Sequence, residues 1–270
     1  ILTIPFQWYS TFVIEEKYGF NKTTLKTFVT DKLKGYLLTA VVGGVLMAAL
    51  IHLILTIGPS FWIWFSVLAA VFVLFVNMFY TSLILPLFNK LTPLPAGELK
   101  TALENFSRKV DFPLDSIFVI DGSKRSKKAN AFFSGIGKKK KIVLYDTLIE
   151  NHTTDELVAV LAHEVGHFKK KHVIWGYVLS ILQIVFTLFV LSTMTYAESV
   201  SMALGGSQLA IHLNLLAFGI LFSPISGITG LFMNMYSRRN EFEADAYARE
   251  TFDGTALSNA LKRLSVDSLS

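Results

Sequence analysis

The chain has 270 residues, 52% of them hydrophobic, and a mean hydropathy of +0.50, which excludes an ordinary soluble domain and indicates a membrane protein with a polar portion. It contains no cysteine, which excludes disulfides and a thiolate-held zinc, so any metal must be bound by histidine and carboxylate. A net charge of +5 would suggest nucleic acid in a soluble protein; here the distribution of the charge carries the information, and no nucleic-acid partner is expected.

The chain opens in an apolar run, residues 1–12, with no signal-peptide pattern, and reads as a fragment whose first membrane segment or segments lie upstream. Residues 12–21 read as a polar loop. Four apolar stretches are each long enough to cross a bilayer as a helix: 36–57, 61–85, 173–196 and 209–235. Gly58-Pro59-Ser60 joins the first pair into a hairpin, and residues 197–208, with Gly205-Gly206, join the second. Of the 25 Lys and Arg, five precede the first span, fifteen lie between Lys90 and Lys171, and five follow the fourth. Both hairpin loops therefore lack basic residues. By the positive-inside tendency, every basic residue lies on the cytoplasmic face of a multi-pass membrane protein.

After the second span, residues 86–95 form a Pro-rich exit from the membrane. A helix is expected over 98–110, and strands over 116–120, 129–133 and 141–145; Lys138, Lys139, Lys140 and Lys141 mark a turn or an edge between two of them. The expected organisation is a membrane hairpin in 1–88, a cytoplasmic portion in 89–172, a second membrane hairpin in 173–235 and a closing helical segment in 236–270.

The cytoplasmic portion contains His163-Glu164-Val165-Gly166-His167, an H-E-x-x-H motif. Leu157, Val158, Val160, Leu161, Val165 and Phe168 recur at helical spacing, and Thr153 with Glu156 forms a capping box that starts the helix. On such a helix His163 and His167 lie one turn apart on one face and can converge on a metal, with Glu164 beside the open position. That is the layout for zinc hydrolysis, in which Glu164 takes a proton from the activated water and passes it to the leaving amine. The bland alternative is a solvated helix carrying these residues by accident. A third ligand is needed, and downstream carboxylates are the natural supply. Glu241 and Asp245 are i and i+4, so one can bind metal while the other orients a ligand imidazole; Glu243 points elsewhere.

The H-E-x-x-H motif, the run Ser237-Arg238-Arg239-Asn240-Glu241-Phe242-Glu243-Ala244-Asp245, Asn130-Ala131-Phe132-Phe133 and residues 12–21 and 86–95 resemble the Ste24-type CAAX prenyl proteases along essentially the whole chain. The resemblance implies a mainly α integral-membrane zinc metalloprotease: a multi-helix transmembrane barrel around a water-filled chamber, with a zincin-type domain that carries a small β-sheet. Carried over by position, His163, His167 and Glu241 hold one Zn2+, Glu164 is the general base, and Asp245 supports a ligand histidine. Asn130, Ala131, Phe132 and Phe133 pair with substrate backbone by β-augmentation. The implied partners are the lipid bilayer and a peptide or prenylated-peptide substrate, cut beyond the prenylated cysteine with release of a tripeptide. The implied place is a bacterial inner membrane or the endoplasmic reticulum. The resemblance also puts further membrane helices ahead of Ile1, and beyond Leu264 another membrane segment and a histidine that stabilises the transition state. General quality-control proteolysis of membrane proteins is the alternative activity. A non-catalytic membrane scaffold or transport component is the alternative class, drawing on the polar residues His52, Asn77, His212 and Asn214 within the spans.

Overall fold

The computed structural model describes residues 2–134 and 140–268. Chain order begins with helix α1 (Ile4–Tyr9), continued by a π-helical turn over Ser10–Glu15. Then come α2 (Leu25–Ile57), α3 (Phe61–Phe79), a second π turn over Tyr80–Ile84, and α4 (Leu85–Phe88). The polar portion holds β1 (Leu91–Pro93), α5 (Glu98–Lys109), β2 (Leu114–Ile120), β3 (Ala131–Ser134), β4 (Lys140–Tyr145), α6 (Asp146–Asn151) and α7 (Thr154–Lys169). The chain closes with α8 (His172–Thr195), α9 (Glu198–Ala203), α10 (Ile211–Leu221), α11 (Ser223–Thr251) and α12 (Gly254–Ser268). Two compact units result, one of Ile1–Tyr36, Val76–Lys170 and Phe242–Ser270, the other of Leu37–Phe75 and Lys171–Glu241.

The helical stretch Leu25–Phe88 contains an 18-residue window with a mean hydropathy of 2.4 and is doubled back on itself. Gly58 takes φ +70°, a conformation open to glycine, beside Pro59. Lys34 Nζ donates to the Leu87 carbonyl at 2.7 Å, whereas a straight helix would hold those residues about 80 Å apart. Helix α2 starts at Leu25, earlier than the apolar pattern alone suggests, because the Thr24 hydroxyl accepts the Thr27 N–H and caps it. Its 33 residues reach about 50 Å, longer than the ~30 Å hydrocarbon core.

Several expected elements differ. The loop expected over 12–21 is helical through Lys17, because Phe12 packs between Trp8 and Phe28, at ring separations of 5.7 and 5.4 Å. The apolar stretch 209–235 is not one straight span: α10 and α11 meet at a 43° bend. Pro224, at the second position of α11, has no N–H to give the preceding turn and bends the path there. The exit at 86–95 holds a short edge strand, β1, paired antiparallel to β2 from Leu91↔Ile120 to Pro93↔Phe118; its terminal proline hid it. Residues 197–208 include α9. Lys138 and Lys139 lie outside the described residues, and Lys140 and Lys141 open β4.

In the second unit, Ile54, Phe61, Leu188 and Leu191 form an apolar core, and side chains bond to backbone across helices: Tyr177 Oη to Ala70 O at 2.9 Å, Tyr196 Oη to Ile54 O at 2.7 Å, and Ser192 Oγ to Pro59 O at 2.5 Å. Asn214 is fully buried and saturated. Its amide donates to the carbonyls of Thr195 and Ala197 and accepts from Ser201 Oγ, closing the carbonyl end of α8. That removes Asn214 from any transport pathway.

In the first unit, the sheet has the order β1-β2-β4-β3, with β2 and β4 parallel and β3 antiparallel to β4. Alternate residues feed two cores. Ile117, Ile142 and Leu144 pack with Leu103, Phe106 and the α7 residues Leu157, Leu161 and Val165, whereas Ile120 and Val143 pack with Leu85 on the other face. The capping box on α7 is formed as expected: Thr153 Oγ1 accepts from Glu156 N, and Glu156 Oε2 accepts from Thr153 N at 2.8 Å. Arg263 of α12 then reaches Glu156 at 3.4 Å and donates to Asn151 O at 3.0 Å.

Helix α7 meets α11 at Gly166. A Cβ there would stand 3.0 Å from Ala244 Cα and 3.1 Å from both Ala244 O and Tyr247 Cβ, and Ala244 and Ala248 are fully buried. Alanine at 166 gains at most ~1 kcal/mol of helix propensity and loses roughly 1–3 kcal/mol to crowding against backbone. Gly166→Ala should therefore lower the thermal midpoint of the purified protein and Gly166→Val should lower it further; a Gly166→Val midpoint at or above wild type would show that the helices do not need this approach.

Candidate metal centre

The face of α7 opposite its buried residues carries His163, Glu164 and His167, all half-buried. One helical turn separates the two imidazoles, and their Nε2 atoms lie 3.1 Å apart. Helix α11 runs unbroken from Ser223 to Thr251, so its packed segment after Phe242 also fixes residue 241. One ligand atom each of His163, His167 and Glu241 falls within 4.8 Å of the others. One turn further on, Asp245 Oδ1 accepts from His163 Nδ1 at 2.7 Å. A carboxylate only accepts, so it holds the Nδ1–H tautomer and turns the Nε2 lone pair toward His167. Among the described residues Asp245 forms no ion pair with Arg249, the cation one turn further along α11. Glu243 lies beside Ala244 and is not in the cluster.

The donor set fits a tetrahedral divalent metal. Two imidazole nitrogens bound at 2.0–2.1 Å stand about 3.4 Å apart, close to the 3.1 Å here, and two nitrogens with one carboxylate leave a fourth position for water or substrate.

Strand β3 begins beside this helix. The rings of Phe133 and Phe168, the latter next to His167, both pack on Phe112, at 5.1 and 5.2 Å. Phe132 faces the other side of the sheet, against Tyr80 at 6.4 Å. Tyr145 N donates to Asn130 O, so by alternation the backbone groups of Asn130 and Phe132 point into the sheet and those of Ala131 and Phe133 point out to its edge. Asn130 Oδ1 accepts the outward Ala131 N–H at 2.8 Å. On the inner side of the helix crossing, Tyr247 is kept protonated above the usual tyrosine range by burial.

Sequence reasoning missed the residues that build this geometry. Gly166 occupies a variable position of the motif, and its meaning required knowing that Ala244 lies against it. Ala244 and Ala248, a buried small-residue pair at i and i+4, were the available signal. The clamp of Arg125 on Asp31, through Nε at 2.7 Å and Nη2 at 3.0 Å, joins positions 94 residues apart and has no sequence signature.

Comparison with known proteins agrees over both parts of the chain. Residues 93–265 match the model of peptidase family M48, and residues 1–90 match that described as CAAX prenyl protease N-terminal, five membrane helices. The chain is 38% identical over 271 residues to "Probable CAAX prenyl protease 1" of Schizosaccharomyces pombe, covering 100% of this chain and 57% of that protein. It is 32% identical over 305 residues to "CAAX prenyl protease 1 homolog" of Homo sapiens, covering 98% and 64%. The crystal structure of S. mikatae Ste24p superposes with a TM-score of 0.92 at 35% identity, covering 100% of this chain and 66% of that one. The chain thus spans less than two thirds of the length of these relatives. The match over 93–265 contains the whole His163–His167–Glu241 cluster, and the match over 1–90 contains the α2–α3 hairpin; the chain is an integral membrane protein and belongs to peptidase family M48.

Proposed function

We propose that this chain carries the metal centre of a membrane-embedded zinc metalloendopeptidase that processes prenylated C-termini of the CAAX type. The observation that carries the reading is the convergence of His163, His167 and Glu241, with Asp245 bonded behind His163. In it His163, His167 and Glu241 hold one zinc ion, and Asp245 fixes the orientation and tautomer of the first imidazole. When bound there, a divalent ion would supply Lewis acidity, which would lower the pKa of a water and polarise the scissile carbonyl. Glu164, between the two histidines in sequence, accepts the proton from that water and returns it to the leaving amine. Asn130, Ala131, Phe132 and Phe133 hold the substrate as an added strand, with the outward C=O of Ala131 and the outward N–H and C=O of Phe133 making the pairing while Asn130 Oδ1 holds the Ala131 N–H.

The substrate class rests on the relatives, which are CAAX prenyl proteases by name. A prenylated peptide also suits an enzyme whose membrane helices can keep the lipid while the polar unit holds the peptide. The barrel around a chamber, the division at 88, 172 and 235, and a zinc site on the cytoplasmic face belong to the same proposal; the last is supported by the absence of any Lys or Arg from both hairpin loops.

Three measurements test this reading on the full-length protein. Zinc content, by elemental analysis, should fall sharply in His163→Ala, His167→Ala and Glu241→Ala; retention in Glu241→Ala with loss in Glu243→Ala would move the third ligand. Glu164→Gln preserves shape but cannot take the proton, so zinc should stay while turnover of a prenylated peptide falls at least ~100-fold. Turnover within a few-fold of wild type would remove Glu164 from the mechanism. Asp245→Ala should weaken zinc affinity, measured by chelator competition, by roughly 10- to 100-fold, while Arg249→Ala leaves it near wild type. Equal and near-wild-type affinities in both variants would deny Asp245 its role.

A further inference from the structure

A cavity of about 600 Å³ lies in the first unit at the Asn130 end of β3, and the chemistry above makes no use of it. Lys32, Asn89, Arg125, Lys128, Asn130 and Tyr145 are among its lining residues. Two carboxylates also line it, and each already has a cation: Asp31 takes Arg125 through Nε and Nη2, and Glu15 takes Lys128 at 3.3 Å. Arg125 Nη2 donates as well to Phe88 O at 2.6 Å, so the guanidinium is locked on one side. Its Nη1 is buried and has no acceptor among the described residues. A charged N–H left in that state is costly, so the guanidinium keeps its charge beside the cavity with one N–H unmet.

The remaining lining groups are of the same sign or are donors. Lys32 packs its ammonium over the Phe28 ring at 5.2 Å and has no carboxylate partner among the described residues. Burial keeps the Tyr145 phenol protonated above its usual range, with Tyr80 adding to this and Arg125 opposing it, so the hydroxyl remains a neutral donor. The Tyr145 ring lies where a Cβ on Gly122 would stand, so the glycine makes its position possible. After internal pairing, the cavity is lined by an ammonium, the charged guanidinium of Arg125, a phenol and two amides, of which that of Asn89 already donates to Asp121 at 3.4 Å. That set is complementary to a carboxylate.

The sheet sets the direction of approach. The outward groups of β3 are those of Ala131 and Phe133, and a peptide added to this edge in the commoner antiparallel sense runs with its C-terminal end toward Asn130. The chain beyond the paired stretch then enters the cavity. A leaving tripeptide is about 10 Å long when extended, so its terminal carboxylate needs a counter-charge close to the paired strand.

We propose that this cavity, through Lys32 and Arg125, binds the free α-carboxylate at the C-terminus of the peptide substrate, so that the protein recognises a chain end as well as a backbone. The proposal rests on the peptidase reading for the identity of the peptide, and its test is separable from that reading. In full-length Glu164→Gln protein, binding is measured for a farnesylated peptide ending in Cys-Val-Leu-Ser, as the free acid and as the C-terminal amide. The acid should bind about 10- to 100-fold more tightly, the scale of a lost charge-assisted hydrogen bond. Adding Lys32→Gln should bring that ratio below about threefold by weakening the acid, and Arg125→Lys, which keeps the charge but loses the fork, should reduce it in the same direction. Equal affinity for acid and amide, or a Lys32→Gln change that weakens both alike, overturns the site. Cleavage by the wild-type protein is scored separately: acid preference without cleavage would support the carboxylate site and count against the peptidase reading.

Discussion

The candidate centre depends on one close crossing of two helices. At Gly166 the backbone of α7 comes so near Ala244 and Tyr247 of α11 that a methyl group would be at 3.0 Å from backbone. With Gly166 on one side and Ala244 on the other, the helices pack at this distance and Asp245 lies 2.7 Å from His163. The glycine is mid-helix, where it costs roughly 0.5–1 kcal/mol relative to alanine. That cost is offset by the packing it permits, and the geometry of three donors and one supporting carboxylate follows from it.

The second constraint is the two-sided sheet. Because Ile142 and Leu144 pack toward α7 while Val143 packs toward Leu85, β4 is fixed from both faces and cannot slip by one residue without exchanging its cores. Strand β3 inherits that register through its pairing from Ala131↔Leu144 to Ser134↔Lys141. Which backbone groups of Asn130–Phe133 face outward is therefore set by buried residues elsewhere in the sheet. The capping box at Thr153 and the Arg263–Glu156 pair similarly fix where α7 begins, and hence the rotation of His163 and His167 about its axis.

Within the membrane unit, polar groups serve the backbone. Asn214, Tyr196 and Ser192 each donate to a carbonyl at or near a helix end that lipid could not satisfy, which is the requirement a bilayer imposes on any departure from regular helix, and Tyr177 adds a bond to Ala70 O within α3. Read from sequence, Asn214 was compatible with a conducting pathway; its saturated bonds to Thr195, Ala197 and Ser201 give it a structural task instead.

Local pattern determined much of this protein. Apolar length specified the α2–α3 hairpin and α8, because a membrane helix must be long and apolar whatever its neighbours are. The i,i+4 spacing of His163 and His167, the Thr153 cap, and the three strands were likewise legible, since helical and strand periodicities are properties of the chain itself. Spacing also limited the third donor to Glu241 or Asp245, but periodicity alone could not say which of them faces the imidazoles. Tertiary structure decided that Asp245 lies on His163, that Pro224 bends the path into α11, that Leu91–Pro93 pairs as an edge strand, and that Arg125 meets Asp31 beside Asn130. Each of these joins positions far apart in the chain or turns on a side chain's neighbours, and a one-dimensional pattern encodes which faces are buried without encoding which faces meet.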